Sequence, residues 1–217
     1  MRVYSLGMNC EVAFQIQKYL GAIESSLFNW VLIDDDDLFI SALNNLDDIF
    51  RKKHFHRPSP NMFMDEKYKM FFHGRHSAKE LFDDNWNIIN QTLYNETVFE
   101  LETRIKYLKE KFKNQLSLTE DKIFLRKIWL PDLERKEKII QINHAVEFIK
   151  NLYKYLNCNT NNFKLIIVVD KNHYCKELIA IENNNLKIRT VDFFSPWDNT
   201  KDGADNVSWV KIFKEFV

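Results

Sequence analysis

The run Leu165-Ile166-Ile167-Val168-Val169 leaves this chain little freedom in how it can fold. Consecutive β-branched residues favour an extended backbone, and the side chains of such a strand point alternately to opposite faces. With no polar residue at either parity, both faces must be covered, as in a parallel sheet with helices above and below it. Arg2–Leu6, Lys122–Trp129 and Leu186–Phe193 are further apolar, strand-like stretches. Helix-period patterns fall between them: Val12, Ile16 and Leu20 within Cys10–Leu20, two patterns between Glu80 and Gln115, a long one over Glu137–Leu156, and Ser208–Phe216 at the end. The second of the two central patterns keeps Val98, Leu101, Ile105, Leu108 and Phe112 on one face. Strands alternating with helices predict an α/β fold. The expected form is a single three-layer domain over residues 1–217, with a mainly parallel sheet of about four to five strands and helices on both faces.

Several local signals refine this outline. Ser25–Ile33 reads as aromatic and extended, and Asp34-Asp35-Asp36-Asp37 supplies an N-cap and favourable charge for a helix over Leu38–Phe50. The region around Pro58 and Pro60 reads as irregular, and a short strand Lys69–Phe72 leads to His73. The chain has only 4 Gly and 4 Pro, so each marks a special backbone requirement. Gly7 lies just before Cys10, Gly21 is placed to end the first helix, and Gly74 follows His73.

Composition narrows the classes of function. Lys+Arg and Asp+Glu both number 31, a formal net charge of +0, which lacks the basic field that nonspecific nucleic-acid binding needs. No apolar run approaches the ~18 residues of a membrane span, and the first residues are too short an apolar stretch for a secretory signal. Three cysteines cannot form a fully paired disulfide framework. These features point to a cytoplasmic protein with reduced thiols and neither nucleic-acid nor membrane partners. Neither a spaced-glycine dinucleotide fingerprint nor a Lys-Ser/Thr nucleotide loop is present, so no cofactor is expected.

Cys10 is the residue whose position carries chemistry. It follows the first strand and opens the first helix, where an α/β fold gathers its ligands. The positive end of the helix dipole favours thiolate there and should lower the thiol pKa. The amide of Glu11 is a natural oxyanion donor, with Asn9 in the same turn. Cys158 and Cys175 have no comparable placement.

Ser5-Leu6-Gly7-Met8-Asn9-Cys10-Glu11-Val12-Ala13, followed by Ser25-Ser26-Leu27-Phe28-Asn29-Trp30, resembles a poorly characterised bacterial family described as papain-like cysteine peptidases. That family opens with a Ser-Leu-Gly, Cys, Ala pattern and continues with a Pro-Phe-Asp-Trp block. A weaker likeness runs through Phe71-Phe72-His73, the helix containing Arg104-Ile105 and the strand Ile123–Arg126. The resemblance implies Cys10 as nucleophile and His73 as base. The chain departs from the pattern at Leu27, Asn29 and Gly74, where the family has Pro, Asp and commonly Asp. Asn29 can still orient an imidazole through its amide, so it is the expected third member.

Other candidates are weaker. His54, His56, His73 and His76 cluster in sequence, but no Cys pair or Glu completes a metal spacing, so no metal is expected. The Asp34–Asp37 run reads as a solvated cap rather than a cation site. Asp192 ends a strand and is the runner-up orienting residue after Asn29, while Trp30, Trp197 and Trp209 could line a cleft by stacking. The leading expectation is a cysteine-dependent hydrolase acting on a peptide or acylated substrate through Cys10, His73 and Asn29, with Glu11, Asn9, Trp30 and Asp192 around the substrate. The alternatives are a thiol esterase on acylated glycans, or a noncatalytic accessory protein of a surface-polysaccharide pathway that binds a glycan or sugar nucleotide.

Overall fold

Strand β1 (Arg2–Ser5) turns through Gly7 into α1 (Glu11–Leu20), which ends at Gly21 in the left-handed conformation, φ 75°. The computed structural model describes residues 1–51, 62–76, 78–85, 87–130, 135–194 and 205–216. His54, His56, Pro58, Pro60 and Trp197 lie outside the described residues. The elements that follow are β2 (Val31–Ile33), α2 (Asp36–Asn44), β3 (Phe63–Asp65), β4 (Met70–Phe72), α3 (Ala78–Leu81), α4 (Gln91–Ser117) and β5 (Lys122–Lys127). The chain closes with α5 (Arg135–Asn159), β6 (Phe163–Asp170), α6 (Lys176–Ile179), β7 (Leu186–Val191) and α7 (Asn206–Phe216).

The principal sheet has the order β1-β5-β6-β7 and is parallel throughout. Its period-2 alternation divides the core between two faces. Val3, Ile123, Leu125, Ile166 and Val168 pack with Val12 and Ile16 of α1 and with Trp209, Ile212 and Phe213 of α7. Tyr4, Phe124, Leu165, Ile167 and Val169 face the other way, with Phe39 of α2, Phe112 of α4 and Phe148 of α5. The aliphatic run is thus covered on both sides, and the α/β architecture with a mainly parallel four-stranded sheet is as expected from sequence. No helix among the described residues is long and apolar enough to cross a membrane.

Three local expectations change. The stretch Ser25–Ile33 contributes only a short strand at its end. Lys69–Phe72 forms the expected short strand as β4, which β2 and β3 flank in a separate antiparallel sheet, with Val31 opposite Phe72. Asp35 caps α2 by accepting the Leu38 N–H at 2.8 Å, but α2 ends at Asn44 and a single 3-10 turn, Leu46–Asp48, follows it. The two central patterns resolve into one four-residue helix and one helix of 27 residues. The small sheet shares the larger core: Phe28, just ahead of β2, meets Phe39 and Phe112 edge-to-face at 5.1 and 5.0 Å.

Arg126 and Lys127 stand side by side at the carboxyl end of β5 and point to opposite faces, as strand geometry requires. Arg126 is wholly buried between the rings of Phe39 and Phe148, donates to Leu6 O at 2.9 Å and pairs with Asp36 at 2.5 Å. Lys127 reaches the other face and pairs at 2.6 Å with Glu11, whose second carboxylate oxygen accepts the Trp209 indole N–H at 3.1 Å. Glu11 is 0% exposed, so removing its cation leaves a buried charge uncompensated. Lys127→Met should therefore lower unfolding free energy by about 3–5 kcal/mol in denaturant titration, and adding Glu11→Leu should recover part of that loss. A loss below about 1 kcal/mol for the single variant would show that the pair does not hold α1 to the sheet.

Candidate active site

The β1–α1 turn is built from two successive left-handed residues, Gly7 at φ 77° and Met8 at φ 83°. Glycine adopts this conformation freely, while methionine in it is strained by about 1–3 kcal/mol. At Gly7 a side chain would also collide with β2 and the chain just ahead of it, because a Cβ would lie 2.8 Å from Ile33 Cδ1 and 3.2 Å from Phe28 O. The turn is tied to the small sheet by Ile33 N–H donating to Met8 O at 3.1 Å. It ends at Cys10, which occupies the N-cap position of α1.

Antiparallel pairing of β2 with β4 carries the rest of the site. Since Val31 faces Phe72, the residues just before β2 and just after β4 meet at one end of the small sheet. Those residues are Asn29, Trp30 and His73, and they line a cleft of about 480 Å³ together with Cys10 and Arg104. Within it Cys10 Sγ lies 4.0 Å from His73 Nε2. This is a long contact for a sulfur–nitrogen pair, of the kind that shortens when a substrate closes the site. Phe14, Ile23, Leu27 and Leu108 make most of the remaining wall apolar, and Trp30 stands edge-to-face on Phe14 at 5.0 Å.

Burial pushes the Cys10 thiol above its ordinary range, contrary to the lowering expected from the helix dipole. His73 moves the opposite way: burial of its ring lowers it first, and the neighbouring Arg104 guanidinium lowers it further. Arg104 also donates to the His73 backbone carbonyl. Both shifts favour a neutral thiol beside a neutral imidazole in the free protein. Gly74, where the resembled family commonly has Asp, has a local reason: a Cβ there would lie 2.3 Å from the Phe63 ring.

Five expected neighbours are placed differently. The Glu11 N–H donates to Asn9 Oδ1 at 3.1 Å, so it is occupied and does not serve as a free oxyanion donor. Asn9 is buried in that role and does not line the cleft. Asn29 donates its amide to Glu24 O at 2.8 Å and makes no hydrogen bond to His73. Asp192 ends β7 on the opposite edge of the sheet from β1, three strand spacings or about 14 Å away, and pairs with Lys171 at 3.1 Å. Trp209 is buried against Glu11 on the other face and does not line this cleft, which leaves Trp30 as the tryptophan at the site among the described residues.

Ser26 and Phe14 line the cleft without a sequence signal for it, and Arg104 stands out in the sequence only within the segment of weaker likeness. Arg104 flanks the apolar stripe of α4, directly before Ile105, and that boundary position was its one signal. Among the described residues no group of His, Cys, Asp or Glu could hold a metal ion. His76 sits near Glu80, His144 pairs with Asp37 at 3.1 Å, and all three cysteines are free. Comparisons of the chain with family models, curated proteins and solved structures find no match.

The two shifts set the pH dependence of thiol reactivity. Alkylation of Cys10 by iodoacetamide should rise continuously through and beyond pH about 8.5, the ordinary thiol value. A rate plateau extending down to pH 5 would instead show a preformed thiolate–imidazolium pair and contradict the neutral resting state.

Proposed function

We propose that the protein is a cysteine-dependent acyl hydrolase that works by peptidase-like acyl transfer. The observation that carries this reading is the Cys10–His73 contact within a cleft large enough for part of a substrate. As Cys10 Sγ attacks an acyl carbon, its proton passes to His73 Nε2 and a sulfur–carbon bond forms. The tetrahedral oxyanion then collapses, the carbon–nitrogen or carbon–oxygen bond of the substrate breaks, and His73 returns the proton to the departing amine or alcohol. Water, deprotonated by His73, attacks the thioester and releases the acid and the free thiol.

A neutral starting pair is compatible with this chemistry, because His73 stays unprotonated to below its ordinary value of about 6.5 and can act as base during the attack. With the Glu11 amide occupied, the reading assigns the oxyanion to the backbone amide of Cys10 at the same turn. The imidazole is oriented by its place at the end of β4 and by Arg104 on its carbonyl, rather than by a third side chain. Arg104 is a positioning residue in this scheme.

The likeness of residues 5–13 and 25–30 to the papain-like cysteine peptidase family supports the same reading, with a peptide as default substrate. A reduced, cytoplasmic setting would keep Cys10 competent. A thiol esterase on acylated glycans would use the same pair. A noncatalytic glycan-binding role is less well supported, because it requires no imidazole at the thiol and loses Trp209 as a stacking surface.

Hydrolysis of a fluorogenic peptide library gives the test. Cys10→Ala and His73→Ala should each reduce kcat/KM by at least about a thousandfold, and the double variant should be little worse than either single one. A His73→Ala protein within a fewfold of wild type would exclude His73 as the base.

A further inference from the structure

The cleft holds a cation without a carboxylate. Arg104 lines it together with Cys10 and His73, and Nη2 of its guanidinium is fixed there by donating to the His73 backbone carbonyl. A guanidinium carries five N–H donors, so this bond leaves most of them over. Arg104 is exposed, and its remaining donors are open to an incoming group. Glu100, one turn earlier on α4, pairs with Arg75 at 2.9 Å, and among the described residues no Asp or Glu lines the cleft. The charge also reaches the imidazole, since after burial it is the second cause that lowers His73. The cleft thus joins an uncompensated positive group, close to the imidazole, to the apolar wall of Phe14, Ile23, Leu27 and Leu108.

We propose that Arg104 receives the free α-carboxylate of the leaving group, so that the cleft takes an N-acylated, apolar amino acid unit such as the carboxyl-terminal residue of a peptide. This deepens the hydrolase reading and rests on it for which bond breaks, while recognition of the carboxylate is a property of binding. In that chemistry the acyl carbon–nitrogen bond breaks, the departing nitrogen takes its proton from His73 Nε2, and the amino acid leaves with its carboxylate unchanged. The nitrogen and the carboxylate carbon are both bonded to the same Cα, about 2.5 Å apart. A carboxylate on the leaving group therefore comes to rest beside the imidazole, where Arg104 stands. A guanidinium meets it through charge-assisted N–H···O bonds, and two parallel ones can form at once. An internal peptide segment offers a neutral amide at the same place, so the site favours chain ends. Arg104 then serves specificity in addition to holding the His73 carbonyl.

The test compares two probes on the full-length Cys10→Ala protein, in which hydrolysis plays no part. One is N-acetyl-phenylalanyl-phenylalanine with its free carboxylate, and the other is the same dipeptide ending in a carboxamide. Calorimetric titration at low salt should show the carboxylate binding at least about tenfold more tightly. Adding Arg104→Met should bring that ratio close to one, whereas a residue that only positions His73 would change both affinities alike and keep the ratio. Salt provides the check should Arg104→Met fail to fold: raising NaCl from about 50 to about 500 mM should weaken the carboxylate probe severalfold and leave the carboxamide nearly unchanged. Equal affinity of the two probes, no detectable binding of either, a ratio kept in Arg104→Met, or a preference indifferent to salt would overturn the assignment. Hydrolysis of both dipeptides by the wild-type protein with equal kcat/KM would also overturn it and keep the hydrolase reading. Carboxylate selectivity in binding without hydrolysis by the wild-type protein would keep Arg104 as the anion site and overturn the hydrolase reading.

Discussion

Two adjacent cations at the end of β5 hold the turn on which the candidate site is built. Arg126 reaches one face of the sheet and takes the Leu6 carbonyl, while Lys127 reaches the other and takes the Glu11 carboxylate. The segment between those two anchors contains Gly7, Met8, Asn9 and Cys10. Backbone with two consecutive left-handed residues is costly to hold, and it persists because both of its ends are clamped to the same strand. The strand thus fixes where the thiol lies.

The histidine arrives by a separate route. The small antiparallel sheet sets the end of β4 beside the residues that precede β2, and one backbone hydrogen bond from Ile33 to Met8 locks that sheet against the clamped turn. Nucleophile and base therefore come from different sheets, and their separation depends on how the two sheets meet. Arg104, from the 27-residue helix α4, closes the arrangement by holding the His73 carbonyl, and burial of the ring, with the Arg104 charge as the second cause, keeps the imidazole neutral.

The larger architecture was legible in the sequence because it rests on period: alternating side chains of Leu165–Val169 need cover on both sides, and the helical stripes supply it. Cys10 at the start of α1 was equally legible, since a strand, a glycine turn and a helical stripe are all local signals. The pairing of β2 with β4 was not, because strands of three residues carry too little pattern to show their partners. Consequently the neighbours of Cys10 were only partly foreseen. Glu11 shows why: its amide was correctly placed at the helix start, but the Asn9 side chain already satisfies it, a competition invisible to spacing alone. The thiol pKa was misjudged for a similar reason. The helix dipole can be read from sequence, whereas the burial that pushes the thiol up depends on Trp30, Phe14 and the long helix converging on one cleft.

In the proposed chemistry Cys10 and His73 act as one unit, and acyl transfer to the protein tests that most directly. After brief exposure to an activated acyl donor such as a p-nitrophenyl ester, peptide mapping by mass spectrometry locates the acyl group. Cys10 is half-buried and Cys158 is exposed, so simple accessibility favours Cys158. If the two act as one unit, acylation falls on Cys10 first and is lost in His73→Ala. Acylation that follows exposure, with Cys158 modified first and His73→Ala without effect, would contradict it.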